Sequence, residues 1–132
     1  EVFEAIKGGG ARRNGFEMRI GVERPLASST VLGSATVIQE KAGPMDGTEF
    51  RKVHSIAYRM ALVASGGADG TVATNALHDW DLAAAEVLVL EAGGAVSDRN
   101  GAELRYNSED AVVAGVVAAS PELHAELVSR LN

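Results

Sequence analysis

Between His78 and Gly94 the chain reads His-Asp-Trp-Asp-Leu-Ala-Ala-Ala-Glu, then Val-Leu-Val-Leu, then Glu-Ala-Gly-Gly. No other stretch restricts the fold as much. Alanine is the strongest helix former, acids at a helix start meet the positive end of its dipole, and glycines suit a helix stop. A helix is therefore expected from near Asp79 to Asp81 through Glu91-Ala92, ending at Gly93-Gly94. Val87 to Leu90 is apolar on every side, unlike a surface helix with one buried stripe. This helix is expected to be covered on more than one face. Strand-like segments flank it: Asp69 to Thr74, with Val72 facing inward, and Ala95 to Ser97.

The remaining segments extend the alternation. Val2 to Lys7 reads as a strand leading into Gly8-Gly9-Gly10. Asn14-Gly15 is the favoured pair for a tight hairpin turn, since both residues tolerate positive φ, and Phe16 to Val22 reads as the return strand. From Glu23 to Arg51 the pattern is faint. Val31 to Ile38 is β-branched and reads as a strand, and Lys41 to Glu49 as a loop. Ile56, Met60 and Val63 fall on one helical face, with Ser55 as the cap and Gly66-Gly67 as the stop. Val112 to Ala119 is a buried-strand run. Ser120-Pro121-Glu122 opens a last helix with Leu123, Leu127 and Leu131 on its inner face. Strands alternating with helices imply an α/β layered domain, a mixed sheet flanked by helices, and 132 residues fit a single such domain.

Charge and composition exclude several functions. The net charge is −6 with no basic run, so polymeric nucleic acid, which is bound through clustered Lys and Arg, is not an expected partner. An acidic chain still takes phosphate when metal cations stand between them. With no Cys there are no disulfides, zinc thiolates or thiol nucleophiles. No apolar stretch approaches the ~20 residues of a membrane-spanning helix, and no signal-like segment opens the chain, so no membrane partner and a cytoplasmic location are expected. His54, His78 and His124 are not spaced as metal pairs, and there is no Gly-x-Ser-x-Gly elbow. His124 is expected on the outer face of the last helix, with His78 supporting the Trp-Asp turn.

The run from His78 to Gly94 resembles the second signature of the inositol monophosphatase superfamily: Trp-Asp, small residues in the next turn, and Glu-Ala-Gly-Gly about ten residues on. The resemblance extends over nearly the whole chain, including Val2 to Gly15 as the hairpin before the family's second domain. It implies the C-terminal half of an αβαβα layered sugar-phosphatase fold, and a Mg²⁺-dependent phosphatase acting on small phosphorylated metabolites. By this resemblance Asp81 is a metal ligand; the helix start itself suggests that Asp79 is a cap, that Trp80 packs the turn against the core, and that Ala83, Ala84 and Ala85 keep the helix slender beneath a neighbouring layer. The helix capped by Ser55 turns its N-terminus to substrate through the amides of Ser55, Ile56 and Ala57, where free N–H groups and the helix dipole favour an anion. Arg59 takes a second phosphate. Thr74 departs from the Glu by which inositol-specific members hold sugar hydroxyls, and tilts the expectation from inositol phosphate toward a 3′(2′),5′-bisphosphate nucleotide.

The family's other metal ligands, a Glu and an Asp-Pro-Ile/Leu-Asp-Gly-Thr segment upstream of the hairpin, are not among these residues. Pro44 to Phe50 imitates that segment without its first Asp and downstream of the hairpin, so it is read as a loop and Asp46 as no ligand. One carboxylate cannot hold two divalent ions. Residues 1–132 are thus expected to form a single C-terminal domain without the N-terminal metal-binding domain, binding Mg²⁺ weakly and inactive alone. An exposed apolar face would favour homo-oligomers. The rival expectation is a non-catalytic binding or oligomerisation module derived from the same family.

Overall fold

The computed structural model describes residues 1–132. Its longest helix, α3 (Asp79–Glu91), lies between two sheets, as its all-round apolarity requires. On one side is an antiparallel sheet of β1 (Phe3–Ile6), β2 (Gly10–Arg13) and β3 (Phe16–Glu17). On the other is a mixed sheet in the order β5-β4-β6-β8-β7. Its strands are β4 (Thr30–Leu32), β5 (Glu49–Arg51), β6 (Gly70–His78), β7 (Ala95–Ser97) and β8 (Val112–Ala119). β4 runs parallel to β5 and β6, and β8 antiparallel to β6 and β7.

Alternation along the central strands divides the core. Val116 and Ala118 of β8 and Ala73 of β6 pack with α3 and with α2 (Ile56–Ala64), through Met60, Leu82 and Val89. Val117, Ala119 and Val72 face the other way. They pack on α1 (Ala35–Ala42) and α4 (Pro121–Leu131) through Ile38, Leu123 and Leu127. The result is four layers: three-stranded sheet, α2 with α3, five-stranded sheet, α1 with α4. The α/β expectation holds.

The close of α3 shows what Glu-Ala-Gly-Gly does. The Glu91 carboxylate accepts from the amides of Gly8 and Gly10 at 3.1 and 2.8 Å, tying the β1–β2 turn to the helix end. A Cβ on Gly94 would lie 2.6 Å from Val89 Cγ1 and 3.0 Å from the Ala119 carbonyl, so only glycine lets the chain pass there. The two amides hold the Glu91 carboxyl below the usual glutamate range. A depressed folded pKa gives stability that is present above the ordinary value and lost as pH falls through the folded one. Amide exchange at Gly8 and Gly10, corrected for intrinsic rates, is expected to accelerate below the ordinary glutamate pKa in the native chain. In Glu91→Gln it should be fast at neutral pH already.

Several elements differ from the sequence expectation. The return strand is two residues, not Phe16 to Val22, because Met18 still donates to Ala11 but Ile20 then donates to Ala92 as the chain climbs over the end of α3. The hairpin turn at Asn14-Gly15 joins β2 to β3 rather than β1 to its return. Val31 to Ile38 is not one strand. β4 stops at Leu32, and the Ser34 side chain accepts from the Val37 amide to start α1. β-Branched residues weakly disfavour helix, and burial of Ile38 against the sheet overrides that. Pro44 to Thr48 is a loop turning at Asp46-Gly47, as expected, though α1 reaches Ala42 and Glu49 already begins β5. β6 continues four residues past Thr74.

Candidate functional site

A cleft of about 290 Å³ opens where the starts of α2 and α3 face β6. His54, Ser55, Ile56, Ala57 and Arg59 line one wall, Ala73, Asn75 and Leu77 the floor, and Asp81 the other wall. All five site residues expected from the sequence therefore meet at one place. Local chemistry explains the wall at α2. The Ser55 side chain accepts from the Tyr58 amide at 3.2 Å and fixes the helix start. The amides of Ile56 and Ala57, in the first turn, have no acceptor within their own helix. An anion in the cleft would supply one.

Arg59 is half-buried behind these amides. Its Nε donates to the Val53 carbonyl at 2.5 Å, which orients the guanidinium, and no carboxylate pairs with it. Burial alone pulls its pKa below the usual arginine value. A partly desolvated cation without a counter-ion is relieved by a bound anion.

Asp81 sits in the first turn of α3, exposed on the cleft and without any protein donor on its oxygens. Asp79 is no cap. The capping position is His78, without a side-chain cap. Asp79 Oδ2 accepts from the Asn107 amide at 2.7 Å and its Oδ1 is buried without a partner, so this acid faces the loop before β8. Trp80 is also corrected: it is 72% exposed and stacks on His78 at 4.2 Å and 7° rather than entering the core. His78 thus supports the turn, through its ring. Of the three alanines only Ala85 is buried, while Ala83 and Ala84 are exposed.

Four cleft residues were not expected from sequence: the polar His54 and Asn75, and the apolar Ala73 and Leu77. Asn75 lies beyond Thr74, where the sequence reading ends the strand, and β6 runs on to His78. The signal was there, in the period-two series Ala73, Asn75, Leu77. Thr74 itself points to the opposite face of the sheet, toward Lys41 and Arg99, and lines no part of the cleft. The lean toward a nucleotide drawn from Thr74 therefore loses its geometric basis, and Asn75 is the polar residue the floor presents.

Other nucleophile systems are absent from the cleft. His124 is half-buried, not on an outer face, with Nε2 2.7 Å from Ser97 Oγ. Ser97 Oγ donates to the Asp98 carbonyl at 2.8 Å and so accepts from the imidazole, the reverse of an activated nucleophile. Burial holds the His124 pKa low.

An exposed, unpartnered carboxylate beside an anion-binding helix start suits a hard cation. Asp81 fits as one ligand of Mg²⁺. No group of three His, Cys, Asp or Glu side chains converges here, and Asp81 is the one acid that lines the cleft.

A model of the inositol monophosphatase family matches residues 1–132. The chain is 30% identical over 142 residues to the Nus factor SuhB of Pasteurella multocida, covering 100% of this chain and 51% of that protein. It is 30% identical over 139 residues to inositol monophosphatase 1 of Rattus norvegicus, covering 96% and 50%. The crystal structure of the extragenic suppressor protein suhB from Bartonella henselae superposes with a TM-score of 0.80 at 27% identity, over 98% of this chain and 53% of that one. The chain spans about half the length of the curated relatives it matches.

Proposed function

Since the chain belongs to the inositol monophosphatase family, we propose that it forms the substrate-facing wall of a Mg²⁺-dependent phosphatase for small phosphate monoesters, of the inositol phosphate or 3′(2′),5′-bisphosphate nucleotide class. The observation that carries this reading is the meeting of Asp81 with Ser55, Ile56, Ala57 and Arg59 around one cleft. The α2 amides and the Arg59 guanidinium bind and orient phosphate oxygens. Asp81 faces them with a negative charge that repels a free dianion. A cation on Asp81 reverses that sign. Mg²⁺, when bound, neutralises phosphate charge as a Lewis acid. Its remaining ligands come from polypeptide outside residues 1–132. Asn75 and His54 are placed to meet the alcohol part of the ester, which keeps both substrate classes open.

The absence of a three-ligand cluster favours a second reading for residues 1–132 by themselves: a phosphate-binding module that does not hydrolyse. Its self-association surface is the outer face of the three-stranded sheet, where Ile6 is 75% exposed; Phe16, in register with Arg13 and Phe3, lies on the other face. The two readings share the Arg59 site. Arg59→Met is expected to weaken inorganic phosphate binding in the cleft by roughly tenfold to a hundredfold, the worth of a charge-assisted hydrogen bond. Isothermal titration in the presence of Mg²⁺ measures it, and unchanged affinity in a folded variant would remove the cleft from both readings.

A further inference from the structure

We propose that the depression between the C-terminal ends of α1 and α4, on the opposite face of the five-stranded sheet, is a second binding site for a phosphate dianion. The depression has a volume of about 210 Å³ and is lined by Lys41, Thr74, Arg99, Asn100 and Leu131. The chain has a net charge of −6, yet this lining carries two cations and no acid; the adjacent Asp98 carboxylate is taken up by the Asn100 and Ala102 amides. Arg13, Arg19, Arg24, Arg51 and Arg130 each have a carboxylate within ion-pair reach. Lys41 and Arg99, like Lys7, Arg12, Lys52, Arg59 and Arg105, have none, and these two share one depression.

The arginine is also held in place. β6 and β8 lose register between Ala73 and Ala76, and the irregularity faces Gly115 at φ 76°. There the Thr74 carbonyl takes Arg99 Nη1 at 2.9 Å, and the Arg99 amide donates to Ala114 at 3.2 Å. A guanidinium anchored through one nitrogen keeps its other N–H groups for a ligand. Lys41 adds a mobile point charge and Asn100 its side-chain amide, since its backbone N–H already donates to Asp98 Oδ1 at 2.8 Å. A planar fork with an ammonium beside it matches a tetrahedral dianion better than a single carboxylate.

The nearby helix ends oppose an anion. Each C-terminus carries about half a negative elementary charge, and Lys41 in the last turn of α1 offsets one of them. Two full cations against two half charges leave the depression net positive. Thr74 on this face and Ala73 and Asn75 on the other are consecutive in β6, so the two sites share a strand while lying on opposite sides of the sheet.

The test is a titration of the natural-length protein with inorganic phosphate, followed by ¹⁵N NMR at Arg99 Nε and the Asn100 side-chain amide. Saturable shifts at both are expected, with Lys41→Ala weakening them by roughly tenfold and leaving the shifts at Ile56 and Ala57 unchanged. Arg99→Lys, which keeps the charge but not the fork, should weaken binding as well, and it guards against misreading a folding defect of a neutral variant. Glycerol phosphate as a second titrant separates the sources: equal affinity assigns the site to phosphorylated metabolites, and loss of binding assigns it to free phosphate. Absence of saturable shifts, or shifts indifferent to Lys41→Ala, overturns the proposal.

Discussion

In the natural-length protein, Asp81→Asn should lower Mg²⁺-dependent phosphate release by at least about a hundredfold, the scale on which loss of one well-placed electrostatic group acts. The change should cost no more than about 1 kcal/mol in stability, the worth of a first-turn acid on the helix dipole. Asp81 is exposed, makes no hydrogen bond to the protein, and buries no methylene that Asn lacks. Asn also keeps the shape and removes only the charge, so a loss of activity in a variant with native denaturation behaviour isolates the cation. The neighbouring Asp79→Asn is the control. Asp79 accepts from Asn107 and faces away from the cleft, so its effect should fall on the loop before β8 and on stability. Comparable losses in both variants would mean that the α3 start merely needs two acids.

A second large effect is expected at a residue remote from both cleft walls. Gly115 has φ 76°, and a Cβ there would lie 2.5 Å from the Ala73 carbonyl, 3.2 Å from Arg99 Cβ and 3.4 Å from Thr74 Cα. Alanine in that conformation costs about 1–2 kcal/mol before any contact is counted. The overlap with backbone forces β6 or β8 to move and adds about 1–3 kcal/mol. Gly115→Ala should thus destabilise the chain by about 3 kcal/mol in urea unfolding. It should also shift the amides of Ala73 and Asn75, because the irregularity opposite Gly115 sets where β6 turns its residues between the two faces. A loss under about 0.5 kcal/mol, the range of ordinary surface changes, would show that the strands relax freely there.

The sequence made the layered architecture readable because its longest helix is apolar all round, a property with few structural solutions. Asp81 and the α2 start were readable for a local reason: caps and first-turn acids advertise helix ends within a few residues. Trp80 was not. An aromatic beside a helix start looks like a core residue, and only coordinates show it stacked flat on His78 with 72% of its surface open. Asn75 and Thr74 were misjudged through strand length. Where a strand stops decides which residues are read as facing the site, and the irregularity opposite Gly115 has no marker within β6 itself. α1 was missed because its β-branched Thr36, Val37 and Ile38 imitate a strand, while the tertiary contact that keeps them helical comes from β4 and β6.

In the proposed site the α3 start presents Asp81 to a cation facing the phosphate held by α2. Mn²⁺ in place of Mg²⁺, in sub-stoichiometric amount with inorganic phosphate present, tests it through paramagnetic broadening of amide resonances. Broadening centred on Asp81 and reaching Ile56 and Ala57 across the cleft is expected, stronger with phosphate than without and lost in Asp81→Asn. Broadening centred on the exposed acids elsewhere, with Asp81 sharp and phosphate without effect, would contradict it.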